Sequence, residues 1–194
     1  MAEDKPADHL AQEVAPTEHC TPLDLRPLFG ARLEAYAHPE GYWHPEVMLQ
    51  GAPDSVVVFS SDSQWPGPRF EVFPLQLHCA QAREADWRAL APPFDVVRAV
   101  PLWRHEWLER DASGTSLGSE TCTHHAGRGP VGPQVVSHAL VRAGVLLESR
   151  LGALMLIAAS DCAPFNVDIY PNHAAALAAL HGFEALEFGP PAAA

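Results

Sequence analysis

Lysine is almost missing from this chain. Among its 194 residues the only one is Lys5, near the start. A phosphate-binding Walker loop, the ATP site of a protein kinase and a pyridoxal Schiff base each need a lysine at their centre, so none can be built here. Cations are scarce altogether. Lys and Arg number 12 against 24 Asp and Glu, a formal net charge of −12. Backbone recognition of nucleic acid needs a basic patch, so no nucleic-acid partner is expected. An acidic surface suits solubility or a basic protein partner instead.

Long apolar runs are also missing. The longest, Leu151 to Ala159, is far too short for a membrane helix, and no membrane is expected as a partner. Residues 1–20 are rich in Glu, Asp, Pro and Ala with no apolar stretch behind basic residues, which reads as a disordered acidic leader and not a secretory signal. Cysteine is sparse. Cys20, Cys79, Cys122 and Cys162 show no paired spacing, which fits free thiols in a cytoplasmic protein, Cys79 and Cys162 being expected as buried small hydrophobes. Residues 21–188 then read as one globular domain and 189–194 as a frayed tail.

What is present begins with a repeat. Val56-Val57-Val58-Phe59-Ser60-Ser61-Asp62 leads through Pro66 and Pro68 to Phe70-Glu71-Val72. Met155-Leu156-Ile157-Ala158-Ala159-Ser160-Asp161 leads through Pro164 to Phe165-Asn166-Val167. Each copy reads as a strand, a Ser-Asp turn broken by proline, a second strand and then an Ala-rich helical stretch. Helices are expected over 23–37, interrupted at Gly30, and over 80–90, ended by Pro92-Pro93. The segment 102–110 suits strand or helix equally, and Pro101 tips it towards helix. The amphipathic spacing of Val136, Leu140, Ala143 and Leu147 predicts one long helix over 133–151, with His138 and Arg142 pointing away. Asn172 can cap a last helix over 174–181. The sum is an α+β domain: a mixed or antiparallel sheet, two similar hairpin-plus-helix units and the long helix.

The long aperiodic stretch 112–132 carries most of the motifs. Gly114-Thr115-Ser116-Leu117-Gly118 matches a nucleophile elbow but lacks the strand and helix that would strain the serine into place. Gly127-Arg128-Gly129-Pro130-Val131-Gly132 matches a dinucleotide-binding turn opening onto the expected helix, although no apolar strand precedes it. The same stretch is loosely similar to the acyl-CoA loop of the GNAT acetyltransferases, with His124 at the family's Gln/Arg position and Gly127 and Gly129 as its glycines. Asn172, Ala175 and Gly182-Phe183 loosely resemble that family's closing helix. The likeness departs in detail: the spacing from Asn172 to Gly182 is a residue short and the usual tyrosine is absent. Glu120, Cys122, His124 and His125 form the densest set of potential metal ligands, but adjacent histidines on extended backbone point opposite ways, and no metal is expected.

Ser61-Asp62-Ser63-Gln64-Trp65-Pro66 offers a different kind of site, an indole beside a carboxylate on a hairpin tip. Trp65 either folds over the core or stands out as a binding anchor, with Asp62 and Asp161 steering a cationic partner. The leading expectation is therefore a small acidic binding protein without cofactor, neutralising or scaffolding a basic protein. Bacterial immunity proteins, which block a toxin's cationic cleft, are the concrete version. The alternative is a metal-assisted hydrolase or acyltransferase-like enzyme with its site at Glu120, Cys122, His124 and His125.

Overall fold

Strand alternation organises most of the described residues. The computed structural model describes residues 17–19, 23–38, 45–51, 55–67, 70–81, 83–110, 122–128, 135–160, 163 and 165–185. They form strands β1 (Thr17–His19), β2 (Arg32–Ala37), β3 (Glu46–Gly51), β4 (Ser55–Ser61), β5 (Gln64–Gly67), β6 (Phe70–Val72), β7 (Leu75–Gln81), β8 (Arg88–Arg110), β9 (Cys122–Gly127), β10 (Val135–Ser149), β11 (Leu154–Ala159) and β12 (Val167–Tyr170). One short α-helix, α1 (His173–Ala179), follows, its N-terminus capped by the Asn172 side chain accepting from the Ala175 amide at 3.0 Å. No described helix is long and apolar enough to cross a membrane.

The α+β expectation is thus corrected to a large, mostly antiparallel sheet in the order β12-β11-β10-β8-β2-β3-β4-β7, with β9 added to β8 and β1 parallel to β10. The expected helix over 133–151 is β10. Its burial has period two: Ala139, Val141, Ala143, Val145 and Leu147 are all buried, and valines at 135, 136, 141 and 145 favour extended backbone. The helical stripe misled because both faces of β10 are largely covered. Leu140 and Leu147 are both buried but sit on opposite faces, and His138, expected outside, is buried too. The expected helices over 23–37 and 80–90 are likewise replaced, by a single 3-10 turn and β2 in the first case and by the end of β7 and the start of β8 in the second. The prolines ending the supposed second helix instead interrupt a strand. Pairing of β8 with β2 breaks between Ala89 and Phe94, where Pro92 and Pro93 have no amide to give.

The two hairpin-plus-helix units are not equivalent. β12 pairs back onto β11, whereas β6 pairs with β5 in a separate two-stranded sheet and β4 pairs with β3 and β7. Phe70 is buried, while its supposed counterpart Phe165 is 43% exposed with φ at 64°. Only the second unit leads into a helix. Residues 17–19, inside the segment read as leader, line the β10 edge as β1.

β8, at 23 residues, is the spine. Its first part pairs with β2 and its second with β10, so it belongs to both halves of the sheet. The halves fold onto each other, β11 and β12 touching β3 and β4. One core joins them, with Leu33, Leu49 and Phe59 from one side and Val145, Leu147 and Ile157 from the other. Register slips in the β10–β8 pairing, at 135–137, 142–144 and 148–149, bend the strands around this core.

Candidate functional site

Alternation along the second part of β8 puts Leu102, Arg104, Glu106 and Leu108 on one face and Trp103, His105, Trp107 and Glu109 on the other. Arg104 is 4% exposed and Glu106 1%. Two residues apart on one strand, they meet directly. Arg104 Nε and Nη2 donate to Glu106 Oε1 at 3.2 and 2.7 Å, and Nη1 donates to the Ala159 carbonyl at 2.9 Å. The Phe183 ring lies under the guanidinium, 5.8 Å from its carbon. Phe183 packs over Gly144, where an added Cβ would stand 3.4 Å from the ring, at the edge of ordinary contact. Glu106 Oε2 is 3.2 Å from His124 Nε2 on the neighbouring β9. Burial pushes the Glu106 carboxyl up, but the His124 hydrogen bond and the Arg104 charge outweigh it and hold the group below its ordinary value.

The other face carries a second polar chain. His105 Nδ1 and His138 Nε2 are 2.7 Å apart, so one donates and the other accepts. His105 Nε2 lies 3.4 Å from Glu184 Oε2, and Glu184 is held by paired backbone hydrogen bonds with Trp103. Arg142 stacks over the Trp103 ring at 4.9 Å. Further along, His125 stacks on Trp107 with centroids 5.5 Å apart and reaches Glu109 at 3.4 Å.

Beside Arg104 lies a cavity of about 260 Å³ whose polar lining includes Arg128, Asp168, Tyr170 and His181, with Phe183 and small residues as its apolar wall.

The residues singled out from sequence fall in different places. His124 and His125 occupy opposite faces of β9, the first turned to Glu106 and the second to Trp107. Cys122 is in β9, its backbone opposite Arg110. Glu120, Asp161, Cys162 and the elbow-like Gly114–Gly118 stretch lie outside the described residues. Among the described residues, no three His, Cys, Asp or Glu side chains converge to hold a metal. The dinucleotide and acyl-CoA readings of 127–132 lose the helix N-terminus they require, because β10 stands where that helix was expected. Cys79, expected buried, is exposed on β7, at the sheet's edge.

Trp65 stands on β5 and is 61% exposed. Asp62 is exposed at the hairpin's base, its carboxylate accepting from the Ser63 amide at 2.8 Å. The hairpin is firmly rooted: Phe70 and Val72 are buried in the main core, and Ser61 Oγ donates to the Phe73 carbonyl at 3.2 Å. Gln64 registers with Val72, so Trp65 and Glu71 face away from that pair. No family model, curated protein or solved structure matches the chain.

Sequence reasoning weighed His105 only as a remote metal ligand and missed Arg104, Glu106, His138 and Glu184 as members of a site. The signal was the run Trp103-Arg104-His105-Glu106-Trp107, which as a strand sorts into one charged pair and one aromatic face.

Proposed function

We propose that this chain is an acidic, cofactor-free binding protein of the cytoplasm that engages a basic protein surface through the β5–β6 hairpin. The observation that carries the reading is Trp65, an indole 61% exposed on a hairpin whose other strand is sunk in the core. A large aromatic held out by a rigid support is the side chain most often found at the centre of a binding interface. Asp62 lies three residues before it and Glu71 on the same face of the hairpin, and both add negative charge to that end of the molecule.

Charge elsewhere on the surface points the same way. Arg26, Arg32, Arg83 and Arg98 each pair with a carboxylate of this chain, at Asp24, Asp95, Glu46 and Glu148. With 24 acids against 12 Lys and Arg, pairing leaves a surplus of carboxylates to steer a cationic partner. The enzyme alternative has less support, since His124 and His125 are divided between two faces of a strand.

The reading is tested on the partner's binding kinetics. Trp65→Ala should cost about 2 kcal/mol or more of affinity, mainly through faster dissociation. Asp62→Asn should mainly slow association, an effect that fades as salt rises. Unchanged dissociation by a folded Trp65→Ala variant would remove the hairpin from the interface.

A further inference from the structure

The main strand order ends at β12 on one side and at β7 on the other, and the two edges differ. β12 is four residues long, carries Asp168 and is packed by α1. Short length, charge and a covering helix are the usual devices that stop an edge from pairing further. β7 has none of them. It runs seven residues, Leu75-Gln76-Leu77-His78-Cys79-Ala80-Gln81, without a proline, an acid, a lysine or an arginine. That is notable in a chain with 19 prolines, 24 acids and 12 Lys and Arg. Its register with β4 is unbroken from Ser55↔Gln81 to Ser61↔Leu75, so no bulge twists the edge away.

The edge is open as well as regular. His78, Cys79, Ala80 and Gln81 are consecutive exposed residues, while Val58, Val57 and Val56, opposite the first three on β4, are buried. In an antiparallel sheet every second residue of such a strand turns its N–H and C=O outward, and no described strand takes those of β7.

Charge decides what fits there. A basic segment is drawn by carboxylates, and β7 offers none. A second copy of this chain, itself at −12, is repelled from any surface rich in acids, but along β7 neither copy brings a like charge. Two copies related by a two-fold axis normal to the sheet keep their faces aligned and close the contact at a dimer.

We propose that this chain forms a homodimer by antiparallel pairing of β7 with β7, which joins the two sheets into one across the axis. The proposal does not depend on the basic-partner reading. Seven extended residues span about 23 Å. A contact of one strand pair falls below the roughly 1,200 Å² that marks the small end of specific interfaces. The dimer is therefore reversible, with Kd on the order of 10–100 µM.

The test is sedimentation equilibrium of the full chain in reductant, from about 5 to about 500 µM, a range that brackets this Kd. Wild type should pass from monomer to dimer and stop there. The dimer should hold or tighten as salt rises, because salt screens the repulsion between two acidic chains and no ion pair is lost. The double variant His78→Glu with Ala80→Glu places like charges at or next to the axis. It should weaken the dimer at least tenfold, with unchanged circular dichroism. A second arm leaves the edge unaltered: a thiol-to-thiol crosslinker on wild type should give a covalent dimer that disappears in Cys79→Ser. The proposal is overturned by a monomer at every concentration, by a dimer that salt dissolves, or by one that the folded double variant keeps at full strength. A crosslinked dimer that is absent, or that forms without Cys79, overturns it equally.

Discussion

Replacing Glu106 by Gln keeps the shape of the side chain and removes its charge, in a place where water does not take over. Arg104 would then be a 4% exposed guanidinium facing a neutral amide, having lost the charge behind two hydrogen bonds of 3.2 and 2.7 Å. Removing one partner of a buried ion pair costs about 3–5 kcal/mol. The Gln carbonyl can still accept from Arg104, which places the expected loss at the lower end, about 3 kcal/mol at pH 7. For a chain of this size that is a fall in melting temperature of about 6–12 °C. The pH dependence gives a second handle. The folded Glu106 carboxyl sits below its ordinary value, so its stabilisation is fully present above the unfolded carboxylate range and is lost as pH falls through the folded value. Denaturant titrations at pH 7 and at successive steps below about pH 4.3 should therefore show the gap between wild type and variant narrowing only in acid. The double change Arg104→Met with Glu106→Leu should recover most of the loss, since well-packed apolar residues often replace a buried pair at no net cost. A Glu106→Gln loss under about half a kcal/mol, the size of an ordinary surface change, would mean the pair is not what holds this part of β8.

Two other substitutions probe the packing. Leu147→Ala, in a strand position with no exposure, should cost about 2–5 kcal/mol in denaturant titration, and a loss under half a kcal/mol would put Leu147 outside the core. Gly144→Ala should be tolerated, costing no more than about 1 kcal/mol, because the added methyl meets the Ile157 carbonyl, Leu102 and Phe183 at 3.4 Å, the edge of ordinary van der Waals contact; a loss of about 3 kcal/mol would show that Phe183 cannot give at all.

Much of the strand content was legible. The runs at 55–61 and 154–159 are apolar and β-branched or aliphatic, and both form strands. Asn172 could be read as a cap because its amide chemistry is local. β10 could not be read in the same way. A strand buried on both faces, bent by three register slips, has apolar residues at nearly every spacing, so helical and extended periods both find matches. The ambiguity at 102–110 had the same root, and with it went the Arg104–Glu106 pair, which exists only if the segment is extended. The contacts from His124 to Glu106, from Glu184 to His105 and from Phe183 to Arg104 join residues far apart in sequence, and no local pattern announces them. Trp65 and Asp62 were legible as a pair because they lie within one turn; whether the indole was inside or outside depended on the rest of the fold.

The basic-partner account is tested most directly by comparing what wild type, Trp65→Ala and Asp62→Asn retain from native extract, at low and at high salt, by quantitative mass spectrometry. The account predicts a basic protein held by wild type at low salt, lost with Trp65→Ala and reduced with Asp62→Asn or by salt, while all three chains melt alike. The same proteins retained in equal amounts by wild type and a folded Trp65→Ala variant would contradict it.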